Sequence, residues 1–256
     1  EIRHRTPPEL EIETFVHGAM CMSFSGRCVL SNYLVDRDAN RGQCAQPCRW
    51  GYYLVEEKRL HDHYPIFEDE GGTYILNAKD LCMLAYLDQL TQAGITSFKI
   101  EGRAKSSYYV SVVTNAYRLA LDDYLAHPEG WKLPDWLMEE VRKVSHRDYS
   151  TGFYFGRPEH GQRYDTGGYI RTCDIVAMVE RCADGRLFCQ QKNKFLEGDE
   201  VELLQPGCRP VTITARDLRD GEGLSIADTR HPAMAFSMAA PEGLNPPAGS
   251  ILRKNL

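Results

Sequence analysis

The chain reads as an α/β protein in two parts: the carboxyl-terminal part of a β/α (TIM-like) barrel, followed by a small all-β barrel domain. Two observations predict this. Strand and helix patterns alternate up to about residue 150, and a parallel return between such strands needs a helical crossover. Beyond about residue 165 the pattern changes to short apolar alternations separated by turn signals. A complete β/α barrel takes about 250 residues, and only roughly 150 precede the change, so upstream strands are expected outside this sequence. The expected division is residues 1–150 as partial barrel, 151–164 as linker and 165–256 as β domain.

Taken in order, residue 1 falls at what reads as the end of a helix. Leu10, Ile12, Thr14 and Val16 then share one side of a strand-like period, and Thr73 to Leu76 make a second short strand. A helix is predicted after Asn77, with Asp80 in its first turn, Leu81, Leu84, Leu87 and Leu90 near one face, and Gly94 as its left-handed stop. Ile95 to Ile100 alternates as a strand that ends at Gly102. From Ser106 to about Ala126, Tyr109, Val113, Ala116, Tyr117, Ala120, Leu121 and Tyr124 recur at helical spacing until His127-Pro128. A shorter helix spans roughly Asp135 to Val144. In the second part, strands are predicted at Ile175 to Val179, Leu187 to Gln191, Val201 to Leu204, Val211 to Ala215 and Leu224 to Ala227. Ala183-Asp184-Gly185, Glu197-Gly198-Asp199, Pro206-Gly207 and Asp220-Gly221 mark turns between them.

Composition narrows the function. A net charge of −6 and a pI near 5.8 argue against non-specific grip on polyanions, which needs clustered excess Lys and Arg, so nucleic-acid contact must be local. Lys192 and Lys194 beside Asn193 read as a solvated loop before they read as a phosphate site. No apolar run approaches the roughly 20 residues that span a bilayer, and Glu1-Ile2-Arg3-His4-Arg5 has no signal core, so a soluble, cytoplasmic protein is expected.

Nine cysteines is an odd number, and a chain of 256 residues has core enough to do without a disulfide framework, so reduced thiols are expected. Four of them, Cys21, Cys28, Cys44 and Cys48, crowd a segment rich in Gly, Ser and Arg. Four polarisable thiolates are the complement that a cubane iron–sulfur cluster needs. Zinc is the alternative, although the six-residue gap between Cys21 and Cys28 fits the short knuckles of a four-thiolate zinc site poorly. Cys82 reads as a buried hydrophobe, and Cys173, Cys182, Cys189 and Cys208 as structural.

Lys99, Glu101 and Arg103 form a second constellation, at the end of a predicted barrel strand. Alternation aims Lys99 and Glu101 inward, and the carboxyl ends of barrel strands carry active sites. Arg103 offers a planar fork suited to carboxylate or phosphate, and Glu101 could orient it or act as acid or base. The competing reading is an internal ion pair. His17, also at a strand end, reads as a hydrogen-bonded histidine with catalysis as the alternative.

The run Glu13-x-Phe15-x-x-Gly18-Ala19-Met20-Cys21-x-x-x-x-Gly26-x-Cys28-x-Leu30-Ser31 resembles the signature of peptidase family U32. The likeness continues through Gly42-Gln43-Cys44-Ala45-Gln46-Pro47-Cys48-Arg49-Trp50, Asn77-Ala78-Lys79-Asp80-Leu81 and Lys99-Ile100-Glu101-Gly102-Arg103. Lys192-Asn193-Lys194-Phe195-x-x-Gly198-Asp199-x-Val201-Glu202 is similar to the family's appended β-barrel. Within the family, the sequence most resembles the tRNA hydroxylation branch, whose activity is oxygen-independent formation of 5-hydroxyuridine at the wobble position. Related branches hydroxylate ribosomal RNA or ubiquinone precursors. The resemblance implies an iron–sulfur (4Fe-4S) cluster on Cys21, Cys28, Cys44 and Cys48, tRNA as substrate, a small prephenate-derived carboxylate as co-substrate, and an amino-terminal barrel half that completes the fold. A U32-type, collagenase-like peptidase is the second reading, although neither His-Glu-x-x-His nor Gly-x-Ser-x-Gly occurs. A Cys–His nucleophile could draw on His4, His17, His61 or His63, but thiolates engaged with iron attack poorly. A non-catalytic RNA-binding module is the third, weakened by the acidic balance.

Overall fold

The computed structural model describes residues 1–21, 28–50, 53–55, 63–65, 78–103, 105–156 and 169–256. By its internal contacts the chain divides into two compact units, Glu1–Ala104 with His146–Ile170, and Lys105–Ser145 with Arg171–Leu256.

The first unit opens with a short helix, α1 (Ile2–Arg5), and strand β1 (Glu13–Gly18). Helix α2 (Leu30–Val35) and single 3-10 turns at Ala39–Arg41 and Pro47–Arg49 follow, then β2 (Tyr53–Val55), paired antiparallel with β3 (His63–Pro65). Strand β4 (Asp80–Cys82) leads through a 3-10 turn into α3 (Leu87–Gln92) and β5 (Ser97–Ile100). After the second unit's helices, the chain returns with β6 (Tyr149–Ser150). The sheet order is β5-β1-β4-β6. Its directions are mixed: β1 runs parallel to β5, β4 parallel to β6, and β1 antiparallel to β4, with His17 opposite Cys82.

The uniformly parallel layer expected from the sequence is therefore corrected at β4. So is the helix predicted from Asp80. Asp80, Leu81 and Cys82 are all buried, as befits a strand covered on both faces, and helix begins only at Leu87. Leu81, Leu84, Leu87 and Leu90 are each no more than 6% exposed, so the apolar period marked the core correctly. Pairing of the backbone with β1 overrides the modest helix preference of three residues. Gly94 ends α3 at φ +82°, as expected. The strand predicted at Thr73 to Leu76 lies outside the described residues.

In the second unit, α4 (Ser107–Ala126) begins where Ser106 Oγ accepts the Tyr109 N–H at 3.2 Å. It buries Tyr109, Val113, Ala116, Tyr117, Ala120 and Tyr124, most of the face read from the sequence. Helix α5 (Asp135–Arg142) follows. The remaining strands are β7 (Cys173–Ala183), β8 (Arg186–Gln191), β9 (Glu200–Leu204), β10 (Val211–Thr214), β11 (Arg219–Asp220), β12 (Ala235–Ala239) and β13 (Ile251–Asn255). They form one antiparallel sheet in the order β10-β9-β13-β7-β8-β12-β11. Its inner face packs Val176, Val179, Leu187, Leu203, Phe236, Met238 and Leu252 into one core. Asp184 and Gly185, both at positive φ, make the β7–β8 turn predicted at Ala183-Asp184-Gly185.

Leu224 to Ala227, expected as a strand, forms only the isolated bridge of Ser225 to Arg219. Asp220 explains this locally: its carboxylate accepts the Glu222 and Leu224 N–H groups, both at 2.9 Å, and closes a turn instead. Strands β12 and β13 were not predicted. The helices α4 and α5, read from the sequence as part of the first segment, are tied to this sheet by charge. Arg253 of β13 is fully buried and donates to Glu140 of α5 at 2.6 and 2.8 Å and to Glu202 of β9 at 2.7 Å. Lys143 joins both carboxylates, at 3.1 and 2.8 Å.

Candidate functional site

Strand β1 ends at Gly18, whose φ of +122° is a backbone conformation that side chains resist. A Cβ there would stand 2.6 Å from Glu101 O and 2.7 Å from Glu101 Cβ. Glycine thus lets the segment after β5 lie against β1, where Glu101 N–H donates to His17 O at 2.8 Å. Glu101 Oε1 in turn accepts the Arg103 N–H at 3.2 Å, which turns the chain and presents Arg103. The Arg103 guanidinium lies over Gly42, at φ +86°; a Cβ on that residue would come 2.7 Å from Arg103 Cζ. Two glycines at positive φ therefore position the acid and the base of this strand end.

Local hydrogen bonds hold the stretch around Cys44. Ser31 of α2 is fully buried, and its Oγ accepts the Ala45 N–H at 3.0 Å. Gln46 takes a left-handed conformation, and its N–H donates to Cys44 Sγ at 3.3 Å.

These pieces surround one cavity of about 790 Å³. Cys21, Cys28, Cys44 and Cys48 all line it, together with Glu101 and Arg103. All four cysteines are free thiols. Six of the seven residues selected from the sequence thus meet at a single site. The seventh, Lys99, does not line the cavity, and this corrects the expectation that it points inward with Glu101. Lys99 is exposed, pairs with Glu13 across the β1–β5 ladder at 2.9 Å, and lies over the Phe15 ring. Hydrogen bonding from Lys99 and Ser97 and the Lys99 charge hold the Glu13 carboxyl below the usual carboxylate range. The ion pair that Lys99 makes is thus an exposed one with Glu13, not the internal pairing among Lys99, Glu101 and Arg103 that was the competing reading. Among the described residues, no carboxylate pairs with the Arg103 guanidinium.

In its donors the site fits the cluster that the family resemblance implies: four free thiols lining one cavity, one accepting a backbone N–H. Among the described residues, no three His, Cys, Asp or Glu side chains are grouped to hold a single metal ion.

Behind the cavity, His17 is fully buried and also lines it. Its ring lies 5.2 Å from Tyr149, which stacks on His146 at 4.6 Å. Asp80, fully buried, accepts the Arg147 N–H at 3.1 Å, and Arg147 lies over the Tyr169 ring, whose hydroxyl donates to Gln46 at 3.3 Å. This support was not read from the sequence, because no spacing links residues 17, 80 and 147. The turn at residues 151–156 was missed as well. It places Gly152, Phe153 and Tyr154 on the cavity wall, and its one sequence signal is three consecutive aromatics between two glycines.

Family models match the chain in two segments and, unlike the two compact units, place residues 105–145 with the first. Peptidase family U32 matches residues 1–164, and the peptidase family U32 C-terminal domain matches residues 171–253. The chain is 35% identical to tRNA hydroxylation protein P1 of Bacillus subtilis over 249 residues, covering 96% of this chain and 58% of that protein. It is 35% identical to tRNA hydroxylation protein P of Escherichia coli, over 89% of this chain and 59% of that one. A collagenase of Porphyromonas gingivalis is 36% identical over 62% of this chain and 42% of its own length. The chain thus spans less than two thirds of these relatives. Among the described residues, no helix is long and apolar enough to cross a membrane. With its thiols, its strand end and both of its segments matched, this chain belongs to peptidase family U32.

Proposed function

We propose that the chain is part of an RNA-modifying enzyme that converts a tRNA wobble uridine to 5-hydroxyuridine without molecular oxygen, with Cys21, Cys28, Cys44 and Cys48 holding an iron–sulfur cluster. The observation that carries this reading is the meeting of all four thiols with Glu101 and Arg103 around one cavity. The relatives named as tRNA hydroxylation proteins support it, because their similarity extends through both segments, whereas the collagenase similarity covers 62% of the chain.

When bound, the cluster would supply one-electron transfer. The chain's own residues supply the rest. Arg103, without a carboxylate partner among the described residues, binds an anionic group, either a phosphate of the RNA or the carboxylate of a small prephenate-derived co-substrate. Glu101, its backbone N–H on His17 O and its carboxylate on the Arg103 N–H, lines the cavity as a group able to hold or move a proton there. His17 lines the same cavity. The remainder of the β/α barrel, from the longer protein, would complete the sheet around the cavity.

Full-length protein purified without air and compared with Cys44→Ser tests this, together with nucleoside analysis of tRNA from a deletion strain carrying either form. Loss of visible absorbance and of 5-hydroxyuridine with Cys44→Ser is expected. Unchanged tRNA, with peptide cleavage lost instead, would establish the peptidase reading in its place.

A further inference from the structure

The turn at residues 151–156 carries three consecutive aromatics that are used differently. Its backbone closes through Tyr154 N–H to Thr151 O and Gly156 N–H to Phe153 O, both at 3.2 Å, and Gly152 supplies a positive φ. Tyr154 is anchored: its hydroxyl donates to Phe15 O at 2.6 Å and also meets Thr14 Oγ1. Phe155 packs on Tyr86, with ring centroids 4.8 Å apart. Phe153 is 68% exposed, and among the described residues no ring stacks on it. Yet Phe153 lines the same cavity as Arg103, Glu101 and the four thiols. The loop is thus pinned at the two residues that follow an aromatic face that the described residues leave uncovered.

We propose that Phe153 is a positioning residue, the platform on which the target base stacks once its nucleotide is turned out into the cavity, with Arg103 holding the neighbouring phosphate. This rests on the RNA-modifying reading above and adds the residue that seats the base. Enzymes that react at a base edge must take the base out of its stack, and they hold it against an aromatic face. A cavity of about 790 Å³ lies in the range of small-ligand sites and admits a nucleoside. Charge complementarity favours this occupant over an apolar peptide, because the stacking face shares its cavity with a guanidinium that has no carboxylate partner among the described residues. A chain of net charge −6 cannot rely on broad electrostatic attraction, so stacking must supply affinity that a basic surface supplies elsewhere.

The test uses the full-length protein and a fluorescent RNA stem-loop with one loop uridine, beside the same RNA carrying an abasic site at that uridine. Phe153→Leu keeps the apolar bulk and removes the π face; Phe153→Tyr keeps the face. With the uridine RNA, Phe153→Leu is expected to bind roughly 5- to 100-fold more weakly than wild type, and Phe153→Tyr like wild type. With the abasic RNA all three should bind alike. Equal binding of wild type and Phe153→Leu to the uridine RNA overturns the platform while leaving the RNA reading intact. Wild-type protein that binds neither RNA sinks the RNA reading and the platform with it. A Phe153→Leu defect confined to peptide cleavage overturns the platform in favour of a peptide site.

Discussion

Two arginines separate the two units of this protein. Arg253, in the second unit, is fully buried and has its guanidinium divided between Glu140 and Glu202, with the Tyr108 hydroxyl also within 3.4 Å. Arg103, in the first, is exposed at a cavity beside Glu101, yet takes no carboxylate from the described residues. The first is a charge consumed by structure: desolvation is offset because every face has a partner. The second is a charge held ready, oriented by glycines rather than by a counter-ion. The same contrast runs through the cysteines. Burial pushes the Cys189 thiol up to about 12 in the sheet core, which leaves it a small hydrophobe, whereas Cys44 receives an N–H in the cavity wall. Among the described residues, Arg253 thus belongs to a support and Arg103 to the cavity.

The sharpest way to break this comparison is Arg253→Met. Removing one partner from a buried charge network leaves Glu140 and Glu202 short of a cation, and about 3–5 kcal/mol of stability should be lost in denaturant titration of the full-length protein. A loss below 1 kcal/mol would mean that the network contributes little. Next in size is Gly42→Ala. A side chain at φ +86° costs about 1–2 kcal/mol and drives Arg103 from its seat, so RNA or carboxylate affinity should fall further than stability does. An unchanged affinity would remove Arg103 from the binding site.

The smallest effect is that of pH. Glu202 is held below the usual carboxylate range: burial alone would raise it, but the hydrogen bond from Lys143 and the charge of Arg253 together outweigh burial. A carboxylate depressed on folding stabilises the fold above its unfolded pKa, near 4.5, and that stability is lost as pH falls through the lower folded value. Asp199, held low by Lys254, acts in the same direction. Thermal midpoints should therefore be flat above pH 5 with respect to these groups and decline below about pH 4.5. Arg253→Met should flatten that decline.

Much of the site was legible because it rests on local signals. Thiol-rich spacing selected Cys21, Cys28, Cys44 and Cys48, strand alternation reached Glu101, and Arg103 was selected by its place just beyond the strand end. Lys99 was misread because alternation gives a face without saying which face meets the cavity, and Glu13 on the neighbouring strand decided it. Strand β4 was misread for a related reason: three residues at helical spacing were claimed by backbone pairing to a strand more than sixty residues away. Strand β13, an inner strand of the sheet, was not predicted; it carries Arg253 and Lys254, and only Glu140, far along the chain, explains a buried arginine there. Strand β12 is Ala- and Met-rich, and its pairing to β8 sets its form. Phe153 escaped notice because an exposed aromatic gains meaning only from what lies beside it.

Iron and acid-labile sulfide analysis of the full-length protein, isolated without air, tests the central claim most directly, alongside alkylation of its native thiols. About four irons and four sulfides per chain are expected, with Cys21, Cys28, Cys44 and Cys48 protected from alkylation until the metal is removed. Protein free of iron and sulfide whose four cavity thiols alkylate at once, or protein carrying a single zinc, would contradict the account.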